Sequence, residues 1–229
     1  MNTYVIPAII PEDLHDLEGH LSRLAQDDVR EALGIPTIVQ IDVMDGAYAP
    51  TKSWPYSAQD AEFDRIIAQE RGFPYWDTFD FEIDMMTAYP EHHIDDWIKA
   101  GATSCIVHAA STEKFEEIQK KCRESAVVLG VAFRPSDDID ESLIEMSDFV
   151  QLMGNDKIGY HGVDLDERVF DRAETLREHY PGMDIAVDIG VDGDTAPDLI
   201  EVGVNKLVSG SYIFDSMDMS EAIRNLRGE

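Results

Sequence analysis

Several short apolar runs in this chain end on residues able to do chemistry. They are Gln40-Ile41-Asp42-Val43-Met44-Asp45-Gly46, and runs reaching Asp84, His108 and Asp188. In an extended segment alternate side chains share a face, so Gln40, Asp42 and Met44 point one way, while Asp45-Gly46 suits a turn. Carboxylates placed this way are candidates for proton exchange. If Asp42, Asp84 and Asp188 face one pocket with no cation among them, they repel one another, and at least one should hold a proton near neutral pH.

The elements that must position these groups alternate in a regular way. Candidate strands cover residues 4–10, 37–43, 81–86, 104–108, 127–133, 149–153, 185–188 and 206–209, each followed by a helical interval. Several are continuous apolar runs, as expected of parallel strands covered on the outside by helices. In the interval 12–26, Leu14, Leu17, Leu21 and Leu24 recur at spacings of three and four, which predicts one apolar helix face. Pro90 is placed to open the third helix and Gly101 to close it; Gly203 gives the same stop before the eighth strand. Intervals 166–180 and 217–227 are read as helices too. Eight β/α units with no Gly-rich dinucleotide fingerprint after the first strand predict an α/β chain of the (β/α)8 TIM-barrel class, one domain over residues 1–229, rather than an open doubly wound sheet. In such a barrel, functional groups gather at the carboxyl ends of the strands. The loops after strands seven and eight present backbone N–H groups to a phosphate, and Gly190 and Gly210-Ser211 stand there.

The 229 residues suffice to bury one large core without disulfides. Cys105 and Cys122, too far apart in sequence for a zinc or redox pair, are read as buried thiols. With 47 acidic against 18 basic residues the formal charge is −29, which argues against nucleic acid and anionic membrane as partners. A salt-rich cytoplasm and a habit of lineage are both compatible with that acidity. No apolar run approaches the roughly 20 residues of a membrane span, and the opening run lacks a basic start, so a cytoplasmic protein is expected.

The run Ile41-Asp42-Val43-Met44-Asp45-Gly46 with Pro50, together with Ile83-Asp84-Met85-Met86, Val107-His108, Met153, Val187-Asp188 with Gly190-Val191, and Gly210-Ser211 with Phe214, resembles the ribulose-phosphate 3-epimerase family over nearly the whole chain. The resemblance implies a barrel of the ribulose-phosphate-binding type and an isomerase of carbohydrate metabolism that epimerises a ketose phosphate, as in pentose phosphate chemistry. It implies a small phosphorylated sugar as partner and a homo-oligomer. Asp42 and Asp188 match the family's two catalytic aspartates. The metal ligands of the family are two histidines and two aspartates; here Gln40 and Asp84 stand where the histidines are expected, beside Asp42 and Asp188. An all-oxygen set favours Mg²⁺ or Mn²⁺ over Zn²⁺ or Fe²⁺ if a divalent metal is bound, and absence of any metal is the other reading. Gly159-Tyr160-His161-Gly162 resembles the glycine-rich loop after strand six, with His161 in place of a glycine. Gly159, Gly162, Gly190, Gly210 and Ser211 are thereby the phosphate and substrate positions, with Met44, Met86 and Met153 as sulfur-bearing pocket residues. His92, His93, His108 and His161 do not rebuild the ligand set and are read as solvated or loop histidines. Arg134 is read as reaching either an anionic substrate or nearby carboxylates. The altered ligands leave two alternatives to an epimerase: an inactive barrel binding a phosphorylated metabolite, and a Mg-dependent lyase or decarboxylase. Against the last, no lysine stands between Asp42 and Asp45, where related barrels place one.

Overall fold

The apolar runs form eight parallel strands, β1 (Tyr4–Ile9), β2 (Ile38–Met44), β3 (Asp80–Met86), β4 (Ser104–His108), β5 (Val128–Phe133), β6 (Phe149–Met153), β7 (Asp184–Asp188) and β8 (Lys206–Ser209). They pair in sequence order, and β8 returns to β1 to close a barrel, as the count of eight units predicts. The computed structural model describes residues 2–57 and 61–229. Parallel neighbours need a crossover, supplied here by α1 (Leu14–Leu24), α2 (Asp27–Leu33), α3 (Ala61–Ile67), α4 (Ile94–Ala100), α5 (Phe115–Glu124), α6 (Glu141–Glu145), α7 (Arg168–His179) and α8 (Ala196–Glu201), while α9 (Ser211–Phe214) and α10 (Met219–Arg227) follow β8. None of the described helices is long and apolar enough to cross a membrane.

Leu14, Leu17, Leu21 and Leu24 are all buried on α1, as their spacing requires. The helix is shorter than the interval 12–26. Asp13 caps it by accepting a hydrogen bond from Asp16 N, and an extended Gln26 separates it from α2. Pro90 opens a three-residue 3₁₀ turn, and α4 follows it, ending on Gly101 at φ 102°. The third helical interval therefore has two pieces.

Alternation along the strands divides the core in two. Outward side chains such as Val39, Ile41, Ile83, Val107 and Leu207 pack beneath the helices. Inward ones, including Ile6, Met44, Met86, Ile106, Phe149, Met153 and Val208, fill the barrel. Toward the amino ends of the strands a buried ion pair crosses this interior. Lys206 Nζ lies 2.8 Å from Glu82 Oε2, which also accepts from Ser104 Oγ at 3.0 Å, and the ammonium stands 3.6 Å from the centre of the Phe149 ring. Register then fixes the other end: Asp42 is paired with Asp84, Met44 with Met86, and Met153 with Asp188. Cys105 and Cys122 are buried and free, as expected.

Candidate active site

Strands β2, β3 and β7 carry Asp42, Asp84 and Asp188 to the carboxyl-end mouth of the barrel. One carboxylate oxygen from each lies within 4.8 Å of the others. All three are buried, at 5%, 0% and 7% exposure, so their mutual repulsion is poorly screened by water. Donors from three side chains hold the cluster together. Gln40 Nε2 donates to Asp42 Oδ1 at 2.8 Å and to Asp188 Oδ2 at 3.1 Å. Asp84 Oδ1 meets His108 Nε2 at 2.9 Å, and its Oδ2 accepts from Gln151 Nε2 at 3.1 Å. Asp188 Oδ1 accepts from the backbone N–H of Ile189 at 2.8 Å.

Burial, then the charges of Asp188 and Asp84, push the Asp42 carboxyl well above its ordinary value of 3.8; the Gln40 hydrogen bond opposes the shift. Burial and the Asp84 charge push Asp188 up to about 7, against the hydrogen bonds from Gln40 and Ile189. Both carboxyls therefore hold their protons to higher pH than ordinary aspartates do, in line with the repulsion expected of three gathered carboxylates.

Asp42 and Asp188 border a cavity of about 940 Å³, with Met86 and Met153 from the inner core. Gly159, Gly162, Gly190, Gly210 and Ser211 line the same cavity. Gly190 has φ 73°, and a Cβ there would stand 2.5 Å from Leu165 N, so glycine is required both by backbone conformation and by close approach. Gly159, at φ 83°, leaves the space that a Cβ would share with Met44 Sδ and Thr51 Oγ1, each 2.6 Å away. Met44 thus packs under this loop and does not line the cavity; Gln40 and Asp84 also lie outside the lining. Among the described lining residues none is Lys or Arg, while Asp164, Asp192, Asp215 and Glu221 are present.

Two readings of the sequence change. His108 is not a solvated or loop histidine: it ends β4, is fully buried, and touches Asp84. Arg134 takes the second of its two expected roles, forming a two-point contact with Asp137 at 3.1 and 2.9 Å and lying 5.5 Å over the Tyr48 ring. Gln151 was not singled out, although the alternation Phe149, Gln151, Met153 on a buried strand marks it as facing the interior.

A profile of the Ribulose-phosphate 3 epimerase family matches residues 4–214. The chain belongs to the ribulose-phosphate 3-epimerase family. Two family relatives are the ribulose-phosphate 3-epimerase of Schizosaccharomyces pombe, 25% identical over 225 residues covering 97% of this chain and 92% of the relative, and that of Bacillus subtilis, 27% identical over 231 residues covering 98% of each. Among solved structures, 3-hexulose-6-phosphate synthase from Salmonella typhimurium aligns over 98% of this chain and 97% of its own with a TM-score of 0.68 and 16% identity. KGPDC from Streptococcus mutans aligns over 100% and 97% with a TM-score of 0.65 and 11% identity. At such identities these structures attest the shared barrel alone.

Gln40 and Asp84 stand at the two positions where the resemblance leads one to expect histidines. The site's donor set is nevertheless coherent. Three carboxylates are gathered, and Gln40 Oε1 and Gln151 Oε1 are buried with no hydrogen-bond partner among the described residues. Amide oxygen and nitrogen have nearly the same shape, so half a turn of the Gln40 side chain would exchange the donor now bridging Asp42 and Asp188 for a carbonyl oxygen. These residues fit a hard divalent cation held by oxygen alone.

Proposed function

We propose that this chain epimerises a ketose phosphate at the carbon beside the ketone, with Asp42 and Asp188 as its two acid/base groups. The observation that carries the reading is that strands separated by β8 and β1 bring these two carboxyls to one cavity, both raised above the ordinary carboxylate range. Inversion at a carbon needs one group to take the proton and a second to return one from the opposite face. A raised pair that shares protons has one member ready to accept and the other ready to donate. Burial of both groups limits competing exchange with bulk water.

Asp42, Asp84 and Asp188, with Gln40 as a further oxygen donor, would hold a divalent cation of the Mg²⁺ or Mn²⁺ type. When bound, such an ion polarises the ketone and stabilises the negative charge left on its oxygen as the proton departs. Backbone N–H groups around Gly190, Gly210 and Ser211, which line the cavity, would receive the phosphate, with Gly159 and Gly162 in the loop beside it. The absence of Lys and Arg from the described lining supports recognition by amides rather than by side-chain charge. Met153 and Met86 supply an apolar, deformable wall.

The test is hydrogen exchange at C3 of ribulose 5-phosphate in deuterated water, followed by NMR with Mg²⁺, Mn²⁺, Fe²⁺, Zn²⁺ or a chelator. Exchange with Mg²⁺ or Mn²⁺ well above the chelated control is expected; none with any metal would sink the proposal. A second reading, a non-catalytic phosphosugar-binding barrel, is favoured by the Gln40 amide that ties up both aspartates. Calorimetric binding of the sugar phosphate without exchange would decide for it.

A further inference from the structure

His108 has no part in the proton exchange described above, yet it is fully buried beside the acidic cluster. Its Nε2 meets Asp84 Oδ1 at 2.9 Å, while its Nδ1 is buried with no hydrogen-bond partner among the described residues. A buried ring with one polar atom unsatisfied is a poor choice if the position serves packing alone, since an apolar residue of similar volume avoids the desolvation cost. Gln151 repeats the pattern: Nε2 donates to Asp84 Oδ2 at 3.1 Å and Oε1 has no such partner.

We infer that His108 and Gln151 are positioning residues that hold the Asp84 carboxylate toward a divalent cation, an inference resting on the cation site proposed above. Asp84 has a short side chain whose carboxylate plane is otherwise free to turn about χ2, and its neighbours Asp42 and Asp188 repel it. The ring on β4 and the amide on β6 each engage one oxygen, so the plane is fixed at two points and the carboxylate stays in the cluster. Each Asp84 oxygen keeps lone-pair capacity for a further partner. His108 is restrained in turn by Tyr48, whose ring centre is 5.3 Å away and which lies beneath Arg134. Groups that orient a metal-binding carboxylate in this way typically change metal affinity about 10–100-fold when removed.

Electron paramagnetic resonance titration of the metal-free full-length chain with Mn²⁺ tests this in the wild type, His108→Leu, His108→Gln and Gln151→Leu, with near-ultraviolet circular dichroism confirming the fold of each. Gln places an amide N–H near the position of the imidazole Nε2, so H108Q should bind Mn²⁺ within about threefold of the wild type while H108L weakens it about 10–100-fold. A role in packing alone would not separate H108Q from H108L in Mn²⁺ affinity. If H108L does not fold, Q151L carries the test, with the same direction of change expected. Wild-type protein that binds no Mn²⁺ overturns the cation site and this inference with it. Wild-type binding matched by H108L, or by Q151L where H108L does not fold, overturns the inference alone.

Discussion

Two carboxyls that exchange protons with opposite faces of one carbon must begin each turnover in different protonation states. In the metal-free chain burial and like charge raise both groups, Asp42 well above 3.8 and Asp188 to about 7, which favours a proton kept within the pair. Asp42→Asn and Asp188→Asn each remove one acid/base group while keeping the side chain's shape. Either should lower kcat for epimerisation by at least about 10²-fold. Steady-state rates within tenfold of wild type in both variants would remove the aspartates from the mechanism. The same shifts affect stability, and here the sign is unusual for an aspartate. Because the folded state keeps a proton on Asp188 that the unfolded chain releases near pH 3.8, this group's contribution is present at pH below about 3.8 and is lost as pH rises through about 7. Metal-free protein should therefore lose thermal stability between pH 5.5 and 8, and Asp188→Asn should lose less. A divalent cation binds the ionised form, so Mn²⁺ should raise Tm more at pH 8 than at pH 5.5. Calorimetric scans showing an equal rise at both pH values would count against the cluster as the binding site.

At the scale of elements, the strands were readable because parallel strands under helices are apolar on both faces, and such runs stand out from the amphipathic stretches between them. The helix boundaries were less so. Residues 12–26 carry one leucine stripe, but Asp27 and Asp28 suit the first turn of a new helix, where acidic side chains meet the positive end of the helix dipole, and the chain restarts there. Asp42 and Asp188 were legible from alternation at strand ends together with the family resemblance. The His108–Asp84 pair was not, because it depends on ladder register. Asp84 is registered with Ile106, so His108 reaches it diagonally from two residues further along β4. The glycine loops lend themselves to a local test. Gly190→Ala would force a Cβ to within 2.5 Å of backbone at φ 73°, so a loss of about 1–3 kcal/mol in urea unfolding and a raised KM for the phosphorylated ketose are expected. Wild-type stability and KM would show that this turn neither needs glycine nor approaches the substrate. At the other end of the strands, Lys206→Met leaves Glu82 buried without its partner and should cost about 3–5 kcal/mol, while the double variant E82L/K206M should recover most of that loss. Denaturant midpoints for the two variants check the order.

The whole molecule carries a formal charge of −29, and the cavity that would receive a phosphate adds Asp164, Asp192, Asp215 and Glu221 around its lining without a described Lys or Arg. Under the proposed function an anionic substrate would be repelled on approach and attracted at short range by backbone N–H groups and the proposed cation. Salt acts on these two parts unequally. The screening length falls from about 10 Å at 0.1 M to about 3 Å at 1 M ionic strength, which removes the long-range repulsion but leaves contacts made inside the cavity largely intact. With divalent metal held saturating, kcat/KM for a ketose phosphate should rise as monovalent salt goes from 0.1 to 1 M. The change should appear in kcat/KM more than in kcat, because encounter precedes the chemical step. A neutral ketose of the same carbon skeleton serves as the control, since its encounter has no charge to screen. A kcat/KM that falls with salt for the phosphorylated substrate, by the same factor as for the neutral one, would mean that the acidic surface does not oppose substrate entry.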